Sequence, residues 1–130
     1  MKNLKEWTEA ADAALLVATQ HQISISITVV DFGGHRTFTY RQPQASYVAD
    51  EASYRKARTA GAFAMPTHVL AGAASAVPDL KAHLPADAFL LPGGLPLLEQ
   101  GRCIGGVGVS GGNSEQDMAC AQAFVAALAV

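Results

Sequence analysis

The spacing of apolar residues at the start of the chain predicts a helix. Leu4, Trp7 and Ala11 begin a series that repeats at helical intervals on one face. Asn3 and Glu6 have the spacing of a capping box, in which each side chain satisfies a backbone N–H group of the other residue. We therefore expect a first helix from about residue 4 to about residue 20.

The next part of the chain changes to a period of two, which predicts a β-hairpin. Residues 23–29 alternate isoleucine or valine with serine or threonine, as in a strand with one apolar and one hydroxylated face. The hydroxyls face either water or a polar pocket. Residues 31–34 read DFGG and predict a tight turn, after which residues 37–41 alternate again and Pro43 ends the second strand.

The remaining pattern predicts two further helices, a loop-rich segment and a glycine-rich strand. The expected elements are a long alanine-rich helix at 45–64, a short helix at 68–76, a proline-punctuated loop at 77–98 with extended pieces at 88–91 and 95–98, a strand at 103–109, and a last helix that runs to the C-terminus. Helices and strands in this order predict an α/β (α+β) fold, and 130 residues suit a single domain spanning 1–130.

A glycine turn leads from the last strand into the last helix. Ser110, Gly111 and Gly112 form this turn, and Asn113 or Ser114 can cap the helix. Free N–H groups at a helix start favour a carboxylate, a phosphate or a developing oxyanion, although a plain strand–turn–helix connection explains the same residues. Gly93 and Gly94 likewise permit close approach to the backbone.

Lys56 lies in the middle of the small-residue face of the long helix, where a lysine is out of place. Its side chain either reaches past the helix edge into water or serves a function. Arg55 and Arg58 lie towards the opposite face, which predicts a solvated or subunit-contact surface together with Tyr47 and Tyr54.

Composition excludes some classes of partner. The formal net charge is −2 and no Lys/Arg run is present, so we expect neither nucleic acid nor an anionic membrane as a partner. No apolar stretch approaches the length of a membrane span and the N-terminal residues do not form a signal peptide, which predicts a cytoplasmic protein. Cys103 and Cys120 lack a C-x-x-C spacing and are expected to be reduced core thiols.

Four segments together resemble the GlcG/HbpS-like haem-binding family, which includes the C-terminal domain of PduO. These segments are ITVVDFGGH with Arg41 after it, KARTAGAFAMPT at 56–67, LPGGLPL at 91–97, and IGGVGVSGGNSEQDMACA at 104–121. The resemblance covers nearly the whole chain. It implies a profilin-like fold with a central antiparallel sheet flanked by helices, and assembly into homo-oligomers.

The resemblance also implies a small-molecule ligand, most directly haem or a related tetrapyrrole, with a role in haem handling or degradation. A haem site needs an iron ligand, and His35 and His68 are the reachable candidates, although a solvated or capping role also fits each histidine. Arg41 or Lys56 would then contact the propionates. Gly93, Gly94 and the turn at Ser110 would contribute backbone to the ligand site.

Two alternatives remain open, because the family is associated with several functions. The first is a cofactor-independent enzyme of lyase or isomerase type that acts on a small carboxylate or carbonyl compound. Arg41 would hold the carboxylate, the turn at 110–112 would hold an anionic oxygen, and Lys56, Glu115 or Asp117 would move a proton. The second is a structural subunit that uses Tyr47, Tyr54, Arg55 and Arg58 as its interface.

Overall fold

The fold is a four-stranded antiparallel sheet with helices on both faces, as seen in a computed structural model that describes residues 2–128. The elements are α1 (Leu4–Gln20), β1 (Ser26–Asp31), β2 (Arg36–Arg41), α2 (Tyr47–Phe63), α3 (Thr67–Ala76), α4 (Pro78–Ala82), β3 (Gly94–Glu99), β4 (Arg102–Ser110) and α5 (Ser114–Leu128). The strand order is β2-β1-β4-β3, and every neighbouring pair is antiparallel. The predicted α+β class is confirmed. The last two residues of the predicted C-terminal helix lie outside the described residues.

The main apolar core lies between the sheet and the pair formed by α1 and α5. Ile27 and Val29 of β1 and Val109 of β4 are fully buried there. Trp7 of α1 stacks on Phe124 of α5, with the two ring centroids 6.2 Å apart. Apolar residues of α1 that have helical spacing, among them Trp7, face this core. The predicted capping box between Asn3 and Glu6 is present at the start of the helix.

The hydroxylated face of β1 is buried against α2, which corrects the expectation that it meets water or a polar pocket. Ser26 and Thr28 are 0% exposed. The Thr28 and Ser53 hydroxyls are 2.8 Å apart, and Ser53 Oγ lies 3.3 Å from Ser26 Oγ. These hydroxyls satisfy their hydrogen-bonding capacity with one another. The alternation along β1 therefore separates two buried faces, and neither face of residues 26–30 is exposed to water.

Glycines let α2 lie directly on β4. A Cβ on Gly106 would overlap the carbonyl oxygen of Ala57, and one on Gly108 would overlap that of Ser53. The missing side chains of Gly106 and Gly108 are therefore explained by close helix packing, not by the approach of a ligand.

The segment between α3 and β4 differs most from the sequence-based expectation. Residues 78–82 form the short helix α4, whereas we expected loop there. Residues 88–90 belong to no helix or strand, although the pattern predicted an extended piece from 88 to 91. Proline at the first position of α4 is compatible with a helix start as well as with a loop, so proline spacing alone did not distinguish the two.

We expect Gly108→Ala to lower the free energy of unfolding by about 1–3 kcal/mol or more, because the new methyl group overpacks the α2–β4 contact. Gly72→Ala in α3 is the matched control, since a Cβ there meets no atom within 4 Å. That control should be neutral or stabilising by up to about 1 kcal/mol. Urea unfolding measures both, and equal stabilities for the two variants would contradict the close-packing explanation.

Candidate functional site

Lys56 and Asp117 form a buried ion pair beneath α2. Lys56 is 2% exposed and Asp117 is 4% exposed. The Lys56 Nζ donates hydrogen bonds to the Asp117 carboxylate at 3.0 Å and to the carbonyl oxygen of Val109 at 2.9 Å. The reading of Lys56 as a side chain that reaches into water is therefore wrong. Its ammonium joins α2, the end of β4 and the first turn of α5.

Burial and pairing act in opposite directions on the pKa values of Lys56 and Asp117. Burial lowers the pKa of Lys56 and raises the pKa of Asp117, because it disfavours the charged form of each. The attraction between the two groups and the hydrogen bond from the Gly112 N–H to Asp117 oppose those shifts. The two charges therefore depend on each other.

Of the two predicted glycines, Gly93 lies against the ion pair, and Gly94 lies against the side chain of Thr67 and the backbone of Lys56. A Cβ on Gly93, whose φ is +119°, would stand 2.6 Å from the Val109 carbonyl oxygen and 2.9 Å from the Lys56 Nζ. The Gly94 N–H donates to the Thr67 hydroxyl at 3.2 Å. Both residues are buried, so a role in ligand binding stays a prediction, while their packing role is visible.

The start of α5 already uses several of the N–H groups that an anion would need. The Gly112 N–H donates to Asp117 Oδ1 at 2.8 Å. Asn113 and Gln116 cap each other, with two backbone-to-side-chain bonds of 2.9 Å, which confirms the predicted capping arrangement. Ser110 pairs with Ser26 in the sheet, and Gly111 has a φ of +140° in the turn. An anion at the Gly112 N–H would have to displace the Asp117 carboxylate.

His35 lies in the turn before β2, and Arg41 is the last residue of β2. The Arg41 guanidinium donates to the carbonyl oxygens of Gln42, Pro43 and Ala45, and thereby fastens the chain before α2. The His35 N–H donates to the Asp31 carboxylate at 3.0 Å, and its side chain is exposed in the turn after β1. Their predicted contacts with a ligand stay predictions.

His68 lines an open, mostly apolar groove of about 370 Å³, which we call the His68 groove. Its lining consists of His68, Pro92, Ser114, Glu115, Met118 and Gln122. His68 is exposed in the first turn of α3, and within the described residues its ring forms no hydrogen bond. Imidazole nitrogen and thioether sulfur are both haem-iron ligands in proteins, so this groove brings suitable chemistry to an apolar surface.

Of the predicted site residues, His68 and Glu115 meet in this groove, whereas Lys56 and Asp117 lie beneath the surface and line none of the cavities described here. The sequence reasoning missed Met118 and Gln122 as groove residues. Met118 falls in the predicted last helix, and its spacing there carries no signal of a position at a groove. The place of Met118 and Gln122 in one groove with His68 depends on where the fold puts α3 and α5, which periodicity does not report.

A larger cavity of about 640 Å³ lies at the end of the sheet that carries both hairpin turns. Asp31, Glu99 and Arg102 give it a charged lining, and Phe32 and Cys103 are also among its lining residues. The Cys103 thiol lies 3.3 Å from the carbonyl oxygen of Gly105, with which it forms a hydrogen bond. No histidine or methionine lines this cavity, so it suits a tetrapyrrole less well than the His68 groove.

Most of the residues predicted for an interface on α2 are engaged within the chain. Tyr54 lies under the guanidinium groups of Arg36 and Arg58, at 4.4 and 5.5 Å from its ring centroid. Arg58 pairs with Asp87, and Arg55 donates to the carbonyl oxygen of the same residue. Tyr47 remains 74% exposed. A subunit contact through this helix stays a prediction.

A family model described as haem degrading protein HbpS-like matches residues 3–126. The chain belongs to the HbpS-like family. It is 35% identical over 131 residues to the corrinoid adenosyltransferase PduO of Citrobacter freundii, a match that covers 98% of this chain and 39% of that relative. The chain thus spans about two fifths of the length of PduO, and the domain boundaries of the protein stay a prediction.

Solved structures of this family have the same fold. The structure of a PduOC:haem complex is 35% identical, has a TM-score of 0.86, and is matched over 97% of this chain and 94% of its own. The structure of HbpS is 32% identical with a TM-score of 0.85, over 96% of this chain and 88% of its own. None of the helices within residues 2–128 is long and apolar enough to cross a membrane. The same residues contain no cluster of three or more His, Cys, Asp or Glu side chains placed to hold a metal ion.

We expect Lys56→Met to lower the free energy of unfolding by about 3–5 kcal/mol, because it leaves the Asp117 carboxylate buried without its partner. Asp87→Asn is the matched control, since it breaks a surface ion pair with Arg58. The Asp87 side chain is 47% exposed and the Arg58 side chain is 43% exposed. That control should cost about 1 kcal/mol or less. Urea unfolding at neutral pH gives both values, and a loss no larger than that of the control would contradict the buried-pair interpretation.

The stability deficit of Lys56→Met should also depend on pH. Removal of Lys56 takes away an interaction that lowers the pKa of Asp117, so the already raised pKa rises further. An acid whose pKa is raised by folding stabilises the folded state while it is protonated, and this contribution is lost as the pH rises through the raised pKa. The deficit relative to wild type should therefore be smaller at about pH 4, near the ordinary pKa of an aspartate, than at neutral pH. A stability deficit that does not change with pH would refute the conclusion that the pKa of Asp117 is raised when Lys56 is removed.

Proposed function

We propose that the chain binds haem or a related tetrapyrrole in the His68 groove, with His68 as the iron ligand. The observation that carries the proposal is an exposed histidine, free of hydrogen bonds to the described residues, in a mostly apolar groove. Ligand sites combine an apolar lining with a few placed polar groups, and this groove has that composition. The 35% identity to the chain of a PduOC:haem complex supports the ligand class.

The groove residues have distinct parts in this proposal. The imidazole of His68 would hold the iron, and Met118 and Pro92 would provide apolar surface for the macrocycle. Ser114 and Gln122 offer polar side chains at the groove, whereas the Glu115 carboxylate would disfavour a propionate beside it. When bound, haem supplies redox and ligand-binding chemistry at its iron, and the chain supplies position and an apolar surround.

Arg41 and Lys56 fit the propionate role less well than the sequence suggested. Arg41 already donates to three carbonyl oxygens, and Lys56 is buried with Asp117. A propionate contact would require either side chain to leave its present partners.

The enzyme alternative is not favoured by a specific observation. Catalytic roles for Lys56, Glu115 and Asp117 stay predictions, and of these three only Glu115 is exposed to an incoming substrate. Homo-oligomeric assembly and a cytoplasmic location remain expectations from the sequence, and haem handling or degradation is the family role that this binding site would serve.

A haem titration followed at the Soret band tests the proposal. We expect wild type to shift the band, and His68→Ala to weaken haem binding at least tenfold, which corresponds to about 1.4 kcal/mol. His35→Ala and His83→Ala are matched controls, because both histidines are exposed and line none of the cavities described above. Unchanged binding in His68→Ala, or a loss confined to one of the controls, would overturn the assignment of the ligand.

A further inference from the structure

We propose that the larger cavity, at the end of the sheet that carries both hairpin turns, binds a small α-amino acid with an apolar side chain. We call this space the hairpin cavity. Arg102 would hold the carboxylate of the ligand and Asp31 its ammonium group, since both residues line the cavity. The hairpin cavity shares no lining residue with the His68 groove, so the proposal stands apart from haem binding.

Arg102 is the one arginine whose side chain has no hydrogen-bond or ion-pair partner within residues 2–128. The guanidinium groups of Arg36, Arg41, Arg55 and Arg58 each donate to a carboxylate or to a carbonyl oxygen. Arg102 is exposed, so its five N–H donors are available to a ligand. Their planar fork matches the two oxygens of a carboxylate. A carboxylate that enters the hairpin cavity would therefore bind here.

A tight turn fixes the backbone that carries Arg102. Gln100 and Gly101 have φ values of +52° and +79°, and Glu99 pairs with Arg102 across the two strands. Positive φ at both central residues is typical of a two-residue type I′ hairpin loop. The guanidinium is therefore attached to the cavity wall at a defined backbone position.

Asp31 supplies the negative group, and its carboxylate has a fixed orientation. Its Oδ1 accepts hydrogen bonds from the Gly33 N–H at 2.9 Å and from the His35 N–H at 3.0 Å. Within residues 2–128 no cation pairs with Asp31, and its Oδ2 accepts no hydrogen bond. An ammonium group can therefore bind Oδ2 without displacing the hydrogen bonds of the turn.

Phe32 and Ile104 supply the apolar part of the site. Phe32 lies in the turn after β1, is 74% exposed and is not part of the main core cluster. Ile104 is half-buried, and both residues line the hairpin cavity. An apolar side chain of the ligand would cover the exposed ring of Phe32 and remove apolar surface from water, which favours binding.

The opposite charges of the lining select a zwitterion. A ligand with only an anionic group would meet the carboxylates of Asp31 and Glu99, and a ligand with only a cationic group would meet Arg102. An amino acid presents a group of opposite charge to both Arg102 and Asp31. The volume of about 640 Å³ lies within the range of about 300–1,000 Å³ that is usual for ligand sites, and it leaves room for a large apolar side chain.

Calorimetric titration with L-phenylalanine and two analogues that carry the same ring tests the proposal. 3-Phenylpropionate lacks the ammonium group, and phenethylamine lacks the carboxylate. We expect one L-phenylalanine to bind per chain, at least tenfold more tightly than either analogue, because only the amino acid pairs with both Arg102 and Asp31. No binding of L-phenylalanine, or equal affinities for all three compounds, would overturn the proposal.

Two variants assign the two charges. In Arg102→Gln, L-phenylalanine should bind no more tightly than phenethylamine, and in Asp31→Asn it should bind no more tightly than 3-phenylpropionate. Asparagine keeps an Oδ1 that can accept both hydrogen bonds of the turn. Lys81→Gln is the matched control, because Lys81 is an exposed cation that lines none of the described cavities, and it should keep both preferences. A preference that survives in its own variant, or is lost in the control, would contradict the assignment.

Alkylation of Cys103 locates the bound amino acid. The Cys103 side chain lines the hairpin cavity and is half-buried, whereas Cys120 is buried and its burial raises the pKa of its thiol to about 11. Iodoacetamide should therefore modify Cys103 first, and saturating L-phenylalanine should protect this thiol from the reagent. An unchanged rate of modification in protein that binds L-phenylalanine would place the ligand elsewhere and overturn the site.

Discussion

The structure depends on one buried charge interaction, the pair between Lys56 and Asp117. A lone charge at either position would be costly, because neither side chain reaches water. Pairing offsets the cost of burying the two charges only while α2, the end of β4 and the start of α5 keep their mutual positions. Gly93 lies against the same pair, so the loop before β3 is fixed by it as well. The contribution of this pair is one of geometry more than of net stability, since burying two charges offsets most of their attraction.

Much of the fold was predictable from local patterns. The caps of α1 and α5, the DFGG turn and the glycine-rich strand all depend on residues close in sequence, and each is present in the structure. The buried state of Ser26 and Thr28 was not predictable, because alternation shows two different faces without showing what covers the second one. The short helix α4 was missed because its five residues give too few positions to establish a period.

The candidate site was predicted only in part, because its residues come from separate segments. His68 was predicted to be reachable, whereas Glu115 was named only as a group that could move a proton in the enzyme alternative. These residues line one groove with Met118 because the fold places α3 and the first turns of α5 around the same space, which no single segment encodes. Lys56 was correctly identified as unusual on a small-residue face, yet the sequence could not show that Asp117, 61 positions later, was its partner.

The buried pair and the surface groove share the first turns of α5, and this connects the internal packing of the protein to the shape of the groove. Asp117 points inward to Lys56, while Ser114, Glu115 and Met118 of the same turns line the groove. Successive residues of a helix face different directions, so one short segment holds the internal charge pair and presents the groove outward. The position of the groove wall is therefore linked to a contact that lies beneath the surface. Relatives that keep such a pair would be free to vary the groove residues, and with them the ligand, without changing the fold.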